Sequence, residues 1–229
     1  MISRRGEEKL DELRDELLKL ARYVQTMYSK SKMAFLERNE HHARDVMYSS
    51  SILDTFQLSI ERKTVILGGT LMLTGKNLRL VMMRMKLVNE LTRIGKQCLT
   101  ISRYSLELSK LSSIGFYNSM SKTANLIDEM FNNAVKNIYS PSTSMSGQIC
   151  SKNNTVSTLL DSTEKEITET IVQNPTIALK GVKLISLLRV FREIAASSLS
   201  LTECSIFIET GEYYRCMGSE FFKFESLKK

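Results

Sequence analysis

Apolar residues recur every three or four positions over most of this chain, the spacing that places them along one stripe of an α-helix. Leu10, Leu13, Leu17, Leu20, Val24, Met27 and Ala34 predict a first helix over about Glu7–Glu37, roughly 45 Å long at 1.5 Å per residue. A stripe of that length needs equally long partners, because helices in water are held mainly by packing. A second helix is predicted over about His41–Leu67, with Val46, Leu53, Phe56, Ile60 and Val65 facing inward. Gly68-Gly69 and Thr74-Gly75 punctuate the turn into a third helix over about Lys76–Leu111. The plan then recurs. A helix over Phe116–Tyr139 is followed by SPSTSMSGQ read as a loop, a helix over Ser151–Val172, a break at Asn174-Pro175, and a last helix over Thr176–Glu209 that stops near Gly211. No strand signal of useful length is present. The tail from Tyr213 holds Tyr213, Tyr214, Phe221, Phe222 and Phe224, which reads either as a docked segment or as a partner-binding one.

The two halves are copies. At an offset of one hundred residues, Leu87, Val88, Leu91, Ile94, Gly95 and Leu99 meet Leu187, Leu188, Phe191, Ile194, Ala195 and Leu199. Thr74-Gly75 faces Asn174-Pro175. The duplication predicts an all-α chain of two tandem three-helix bundles, residues 1–112 and residues 113–229 with the tail.

Composition narrows the function. A hydrophobic share of 42% supports a packed core, and two prolines suit long helices. The longest apolar run, Val65–Leu73, is far below the ~20 residues a membrane span requires. No apolar signal region follows the N-terminus, so a cytoplasmic protein is expected. The four cysteines show no CxxC spacing and read as reduced, mostly structural thiols. Net charge is +7, with the basic residues interleaved among acidic ones as on solvated helix faces; no basic run is longer than a pair such as Arg4-Arg5 or the terminal Lys228-Lys229.

NLRLV, KLVNELTRIG and SLEL within Asn77–Leu108, with IFIETGE at Ile206–Glu212, carry a resemblance to the PhoU family of phosphate-uptake regulators. EEKLDELRDELLKLARYV resembles that family's first helix and LIDEMFNNAVKNIY the start of its second half, so the resemblance spans nearly the whole chain. It implies a cytoplasmic, non-enzymatic regulatory adaptor. Such an adaptor is often a homodimer and restrains phosphate import through a protein partner, an ATP-binding cassette transporter or its sensor kinase.

The chemistry departs from the family at one place. The family repeat puts Glu and Asp at i and i+4, on one helix face, where their oxygens bind metal ions. Here those positions hold Thr92 and Lys96 in the first copy and Arg192 and Ala196 in the second, and the middle helix of the first half reads Ser49-Ser50-Ser51. Two cations in place of carboxylates repel a metal ion, so no metal and no other cofactor is expected. Arg93, Lys96 and Arg192 are instead candidate contacts for an acidic partner or a phosphate-like anion; the ordinary alternative for each is a neighbouring carboxylate or solvent.

Enzymatic motifs fail on inspection. Gly69–Lys76 has one residue too many for a phosphate-binding loop, and Asn77 stands where a Ser or Thr would hold magnesium. His41 and His42 are adjacent and cannot share a helix face. An alternative to the adaptor is a nucleic-acid-associated regulator on the same bundle, favoured by net charge but lacking a DNA-binding module or a clustered basic stripe.

Overall fold

The computed structural model describes residues 4–111 and 115–224. The expected junction between the halves at 112/113 and the terminal Lys228-Lys229 lie outside the described residues. The first half is α1 (Arg4–Leu36), α2 (Glu40–Tyr48), α3 (Ser50–Thr70) and α4 (Gly75–Ser109). The second is α5 (Tyr117–Tyr139), α6 (Thr143–Gln173), a 3-10 turn at Pro175–Ile177 and α7 (Ala178–Thr210), followed by β1 (Tyr214–Met217) and β2 (Glu220–Lys223).

The predicted inward stripe of α1 is buried: Leu13, Leu17, Leu20, Val24 and Met27 are each at most 2% exposed. Each such leucine contributes about 1.5–3 kcal/mol over an exposed one. One continuous apolar core runs through all the long helices. α4 and α7 lie side by side at its centre, with α1 against α4 and α5 against α7. α3 and α6 close the outer sides.

The predicted second helix is two. Ser49 Oγ donates to the Asp45 carbonyl at 3.0 Å, and its φ of −76° with ψ of −6° bends the chain between α2 and α3. Val65, expected inward, is 66% exposed. The buried stripe of α3 runs through Leu53, Ile60, Thr64 and Leu67 instead. The Thr64 hydroxyl is accommodated there by donating to the Ile60 carbonyl at 2.7 Å, so a polar residue occupies the phase that apolarity alone assigned to its neighbour.

The SPSTSMSGQ segment is mostly helix. Ser142 caps α6 by accepting from the Met145 amide at 3.3 Å. The buried Asn137 side chain accepts from the Ser142 amide at 2.7 Å and donates to Ser146 Oγ at 3.0 Å. These bonds satisfy the helix start, so the chain needs only 140–142 to turn.

Arg38, with φ of 53°, ends the reversal after α1. Its guanidinium donates to the Leu108 and Ser109 carbonyls at 2.9 and 2.7 Å, and also to the Leu111 carbonyl. A cation thereby satisfies orphan carbonyls at the C-terminus of α4. α7 ends at Gly211, whose φ of 77° suits glycine.

The tail is docked, and it contains the strands that the pattern did not show. β1 and β2 pair antiparallel, with Tyr214 opposite Lys223 and Met217 opposite Glu220. Strands of four residues are too short to show a period of two, and they depend on docking against α6 and α7. Tyr213 stacks on Phe207 with centroids 4.1 Å apart, and Tyr214 on Phe221 at 5.4 Å. The reading of four reduced cysteines is corrected here. Cys150 on α6 and Cys216 on β1 form a disulfide, with Cα atoms 5.6 Å apart. Cys98 and Cys204 are free and buried.

Candidate functional site

The site region is the seam between α4 and α7, where the repeat motif sits in both copies. Polar pairs across the seam are arranged symmetrically about the level of Gly95 and Ala195. Arg93, two residues before Gly95, donates to Ser197 Oγ at 2.9 Å, two residues after Ala195. Gln97, two after Gly95, donates to Glu193, two before Ala195. Further out, Lys183 pairs with Glu107, each twelve residues from that level. The two helices therefore run antiparallel about a pseudo-two-fold axis, which is how a tandem duplication closes on itself. Gly95 is required on the other side of α4: a Cβ there would lie 2.7 Å from Cδ2 of the fully buried Leu53 on α3.

The family's ligand positions fall into this frame as follows. Thr92 is buried, and its Oγ1 has no hydrogen-bond partner. Lys96 is exposed, with its Nζ 3.9 Å from Asp54 on α3. Arg192 reaches α6, 2.8 Å from Asp161, 3.9 Å from Glu164 and 3.3 Å from Ser157 Oγ. Ala196 is exposed and supplies no polar atom. Ser49 bonds to the backbone of its own helix. These residues do not fit a multinuclear metal centre: the set holds a hydroxyl, two cations and a methyl, and none of them is an anionic ligand. Among the described residues no three His, Cys, Asp or Glu side chains are grouped to hold a metal ion.

The candidate anion contacts do not converge. Arg93 lies in the α4–α7 seam, 2.8 Å from Glu90, while Lys96 leans on α3 and Arg192 on α6. Each has a carboxylate within 4 Å, so the seam presents neutralised pairs and no continuous basic face. In both halves a cation on the last helix meets an aspartate on the middle helix, Lys96 with Asp54 and Arg192 with Asp161.

Sequence reasoning missed three buried or tethering groups beyond the disulfide. Arg84 is 7% exposed and donates to the Leu10 carbonyl; burial lowers its pKa to about 10. Arg79 sits over the Phe207 ring at 5.7 Å and donates to the Ile208 carbonyl, joining the start of α4 to the end of α7. The Tyr28 hydroxyl donates to the Ala124 carbonyl at 2.9 Å, and burial raises its pKa well above 10. Arg84 stands in phase with Val81, Leu87 and Val88 on the apolar stripe of α4, a charge where the period calls for burial, whereas nothing local marks Arg79 or Tyr28.

No helix of the described residues is long and apolar enough to cross a membrane. The PhoU domain family matches residues 17–105. The chain is 23% identical over 218 residues to a phosphate-specific transport system accessory protein, PhoU homolog 2, of Thermotoga maritima, covering 95% of this chain and 93% of that one. It is 22% identical over 204 residues to the PhoU homolog of Aquifex aeolicus, covering 89% and 92%. The structure of PhoU from Pseudomonas aeruginosa superposes with a TM-score of 0.86 at 17% identity, covering 90% of this chain and 99% of that one. PhoU from Streptococcus pneumoniae gives 0.81 at 19% identity, covering 91% and 98%. The duplicated seam, the all-α fold shared over about nine-tenths of the chain with these structures and the matched domain agree: residues 17–105 form a PhoU domain, and the chain has the PhoU-like all-α fold.

Proposed function

We propose that the protein is a non-catalytic regulatory adaptor of phosphate transport, acting from the cytoplasmic side by binding a component of an ATP-binding cassette transporter or its sensor kinase. The observation that carries this reading is the pair of relatives named as accessory proteins of the phosphate-specific transport system, aligned over most of both chains. The seam supports the non-catalytic part. It holds paired charges and no nucleophile with an adjacent base, which acyl or phosphoryl transfer would require.

An adaptor of this kind works by conformational bias. A rigid bundle that binds one state of a transporter more tightly than another shifts their populations, by no more than the difference in its two affinities. The metal centre associated with the family is not part of the proposal, because the residues at its positions do not fit one.

Uptake of radiolabelled phosphate in cells lacking the gene tests the reading. Loss of the normal restraint on uptake in phosphate-rich medium, restored by the wild-type gene, is the expected result. Uptake that is identical with and without the gene at both high and low phosphate refutes it.

A further inference from the structure

The helical hairpin of α3 and α4 carries a charge that its twin does not. Between Glu61 and Glu90 the chain holds six Lys and Arg residues and no Asp or Glu. One hundred residues on, the corresponding span 162–189 holds four Lys and Arg residues with Glu164, Glu166 and Glu169 among them. The two copies share a fold, so the fold does not call for the difference. Three of the six cations work inside the protein: Arg84 donates to the Leu10 carbonyl, Arg79 to the Ile208 carbonyl, and Lys63 pairs with Glu16. Arg62, Lys76 and Lys86 are exposed, and they enter no ion pair among the described residues.

The same hairpin presents apolar side chains at its end. Met72, at the apex with φ of 44°, is 87% exposed. On α4, Leu78, Met82 and Lys86 are exposed four residues apart and so share one face. On α3, Arg62, Val65 and Ile66 are exposed at helical spacing as well. A Cβ at Gly68, Gly69 or Gly75 would meet nothing within 4 Å, so the end of the hairpin stands clear of the rest of the chain. It is a projection, not a groove. Thr74 gives α4 no side-chain cap, which leaves the first amides of that helix to donate outward beside Lys76.

We propose that the α3–α4 turn docks on an anionic lipid surface. Met72 enters the boundary between headgroups and acyl chains, and Arg62, Lys76 and Lys86 lie among the lipid phosphates. Charge selects this occupant. A protein partner fixes its register through charges of both signs, whereas an anionic leaflet presents one sign everywhere, and a hairpin without a carboxylate matches it. Shape agrees. A projection tipped with an unbranched apolar side chain sinks into a fluid surface, to about 5–10 Å in interfacial segments, while long cationic side chains reach back to the phosphates. The twin turn is the control: Val172, the counterpart of Met72, is 75% exposed, but the three glutamates near it oppose an anionic surface.

Sedimentation of the purified full chain with lipid vesicles tests the assignment without any transporter component. Binding is expected to vesicles of mixed phosphatidylglycerol and phosphatidylcholine, to be released by salt, and to be absent with phosphatidylcholine alone. Arg62→Gln with Lys76→Gln is expected to weaken it about thirty-fold. Lys165→Gln with Arg189→Gln, the same charge removed from the second half, leaves it nearly unchanged. Circular dichroism checks that each variant is folded. The chain has no tryptophan, so Met72→Trp supplies a single reporter whose emission is expected to shift to the blue on the anionic vesicles, while that of Val172→Trp does not. A wild type that never sediments with the anionic vesicles overturns the proposal. Equal losses from the two double variants overturn it too, since they would reduce the effect to net charge. So does unshifted Met72→Trp emission from bound protein, which would put another surface on the lipid. If the wild type ignores vesicles and Arg62→Gln with Lys76→Gln abolishes binding to a purified transporter component, the turn belongs to an acidic protein surface instead.

Discussion

Replacing Cys216 with Ser removes the disulfide cross-link between the C-terminal hairpin and α6, and the structure sets the size of the effect. The bond joins residues 66 apart in sequence. A cross-link closing a loop of that length restricts the unfolded chain by about 4 kcal/mol on the loop-entropy account. The full amount is lost only if the hairpin stays docked when the bond is gone. Non-covalent contacts favour that outcome: the Cys216 amide donates to Glu203 on α7 at 3.3 Å, and Arg215 pairs with the same carboxylate. Tyr213 remains stacked on Phe207. For a chain of this size 4 kcal/mol corresponds to a fall in Tm of roughly 10 °C.

Two measurements check this. Thiol titration of the unfolded, unreduced wild type should find two reactive groups, Cys98 and Cys204, rising to four after reduction. Thermal unfolding should show Cys216→Ser, Cys150→Ser and the reduced wild type melting together, below the oxidised protein. Four thiols without reduction would show that the bond does not form in the isolated protein. Two thiols with an unchanged Tm would show that the hairpin detaches freely and that the loop argument does not apply to this bond.

Alkaline pH should destabilise the fold from about 9 upward. Burial raises the Cys98 thiol to about 12 and the Cys204 thiol to about 11, against an ordinary 9.0. Between those limits the folded chain holds protons that the unfolded chain has released, so stability present below pH 9 is lost as pH rises. The loss is about 1.4 kcal/mol per thiol for each unit above 9, read by denaturant titration at successive pH values; a flat profile from 8 to 10.5 contradicts it. Arg38→Ala should cost about 2 kcal/mol, since it leaves three carbonyls unsatisfied at the end of α4. Arg38→Gly should cost about 1 kcal/mol less, because glycine accepts the positive φ, and equal Tm losses would rule out that contribution. Elemental analysis after incubation with iron, zinc, manganese and magnesium should find less than about one ion per chain, from the lack of anionic ligands at the seam. Several tightly held ions would show that carboxylates elsewhere serve instead.

The long helices were legible because their signal is local. Leu10 to Met27 repeat on a helical period, and only one side of that period can be buried. Where burial and apolarity part company, as at Thr64 and Val65, the pattern chose the wrong neighbour: a buried hydroxyl that bonds its own backbone is invisible to an apolar count. The remaining misses are tertiary. Cys150 and Cys216 meet only because β1 folds back on α6. Arg38 finds the end of α4 across some seventy residues of chain. Neither meeting leaves a trace in spacing.

The seam divides in the same way. That Thr92, Lys96, Arg192 and Ala196 stand where the family resemblance places carboxylates is a matter of sequence alone. That Lys96 and Arg192 find Asp54 and Asp161 depends on the register of helices brought together by folding. Thr92 connects the two. Its hydroxyl is buried without a partner, which costs about 1–3 kcal/mol, whereas an unpaired carboxylate in the same place would cost several times more unless a cation neutralised it. A chain that supplies no cation site there is therefore better served by threonine than by glutamate. Thr92→Glu with Lys96→Asp should unfold at a lower temperature than wild type in chelator, and divalent metal should restore Tm if the seam retains room for an ion. Equal stability of the double variant and wild type in chelator would show that the Thr92 position is open to water, and the burial argument would fail with it.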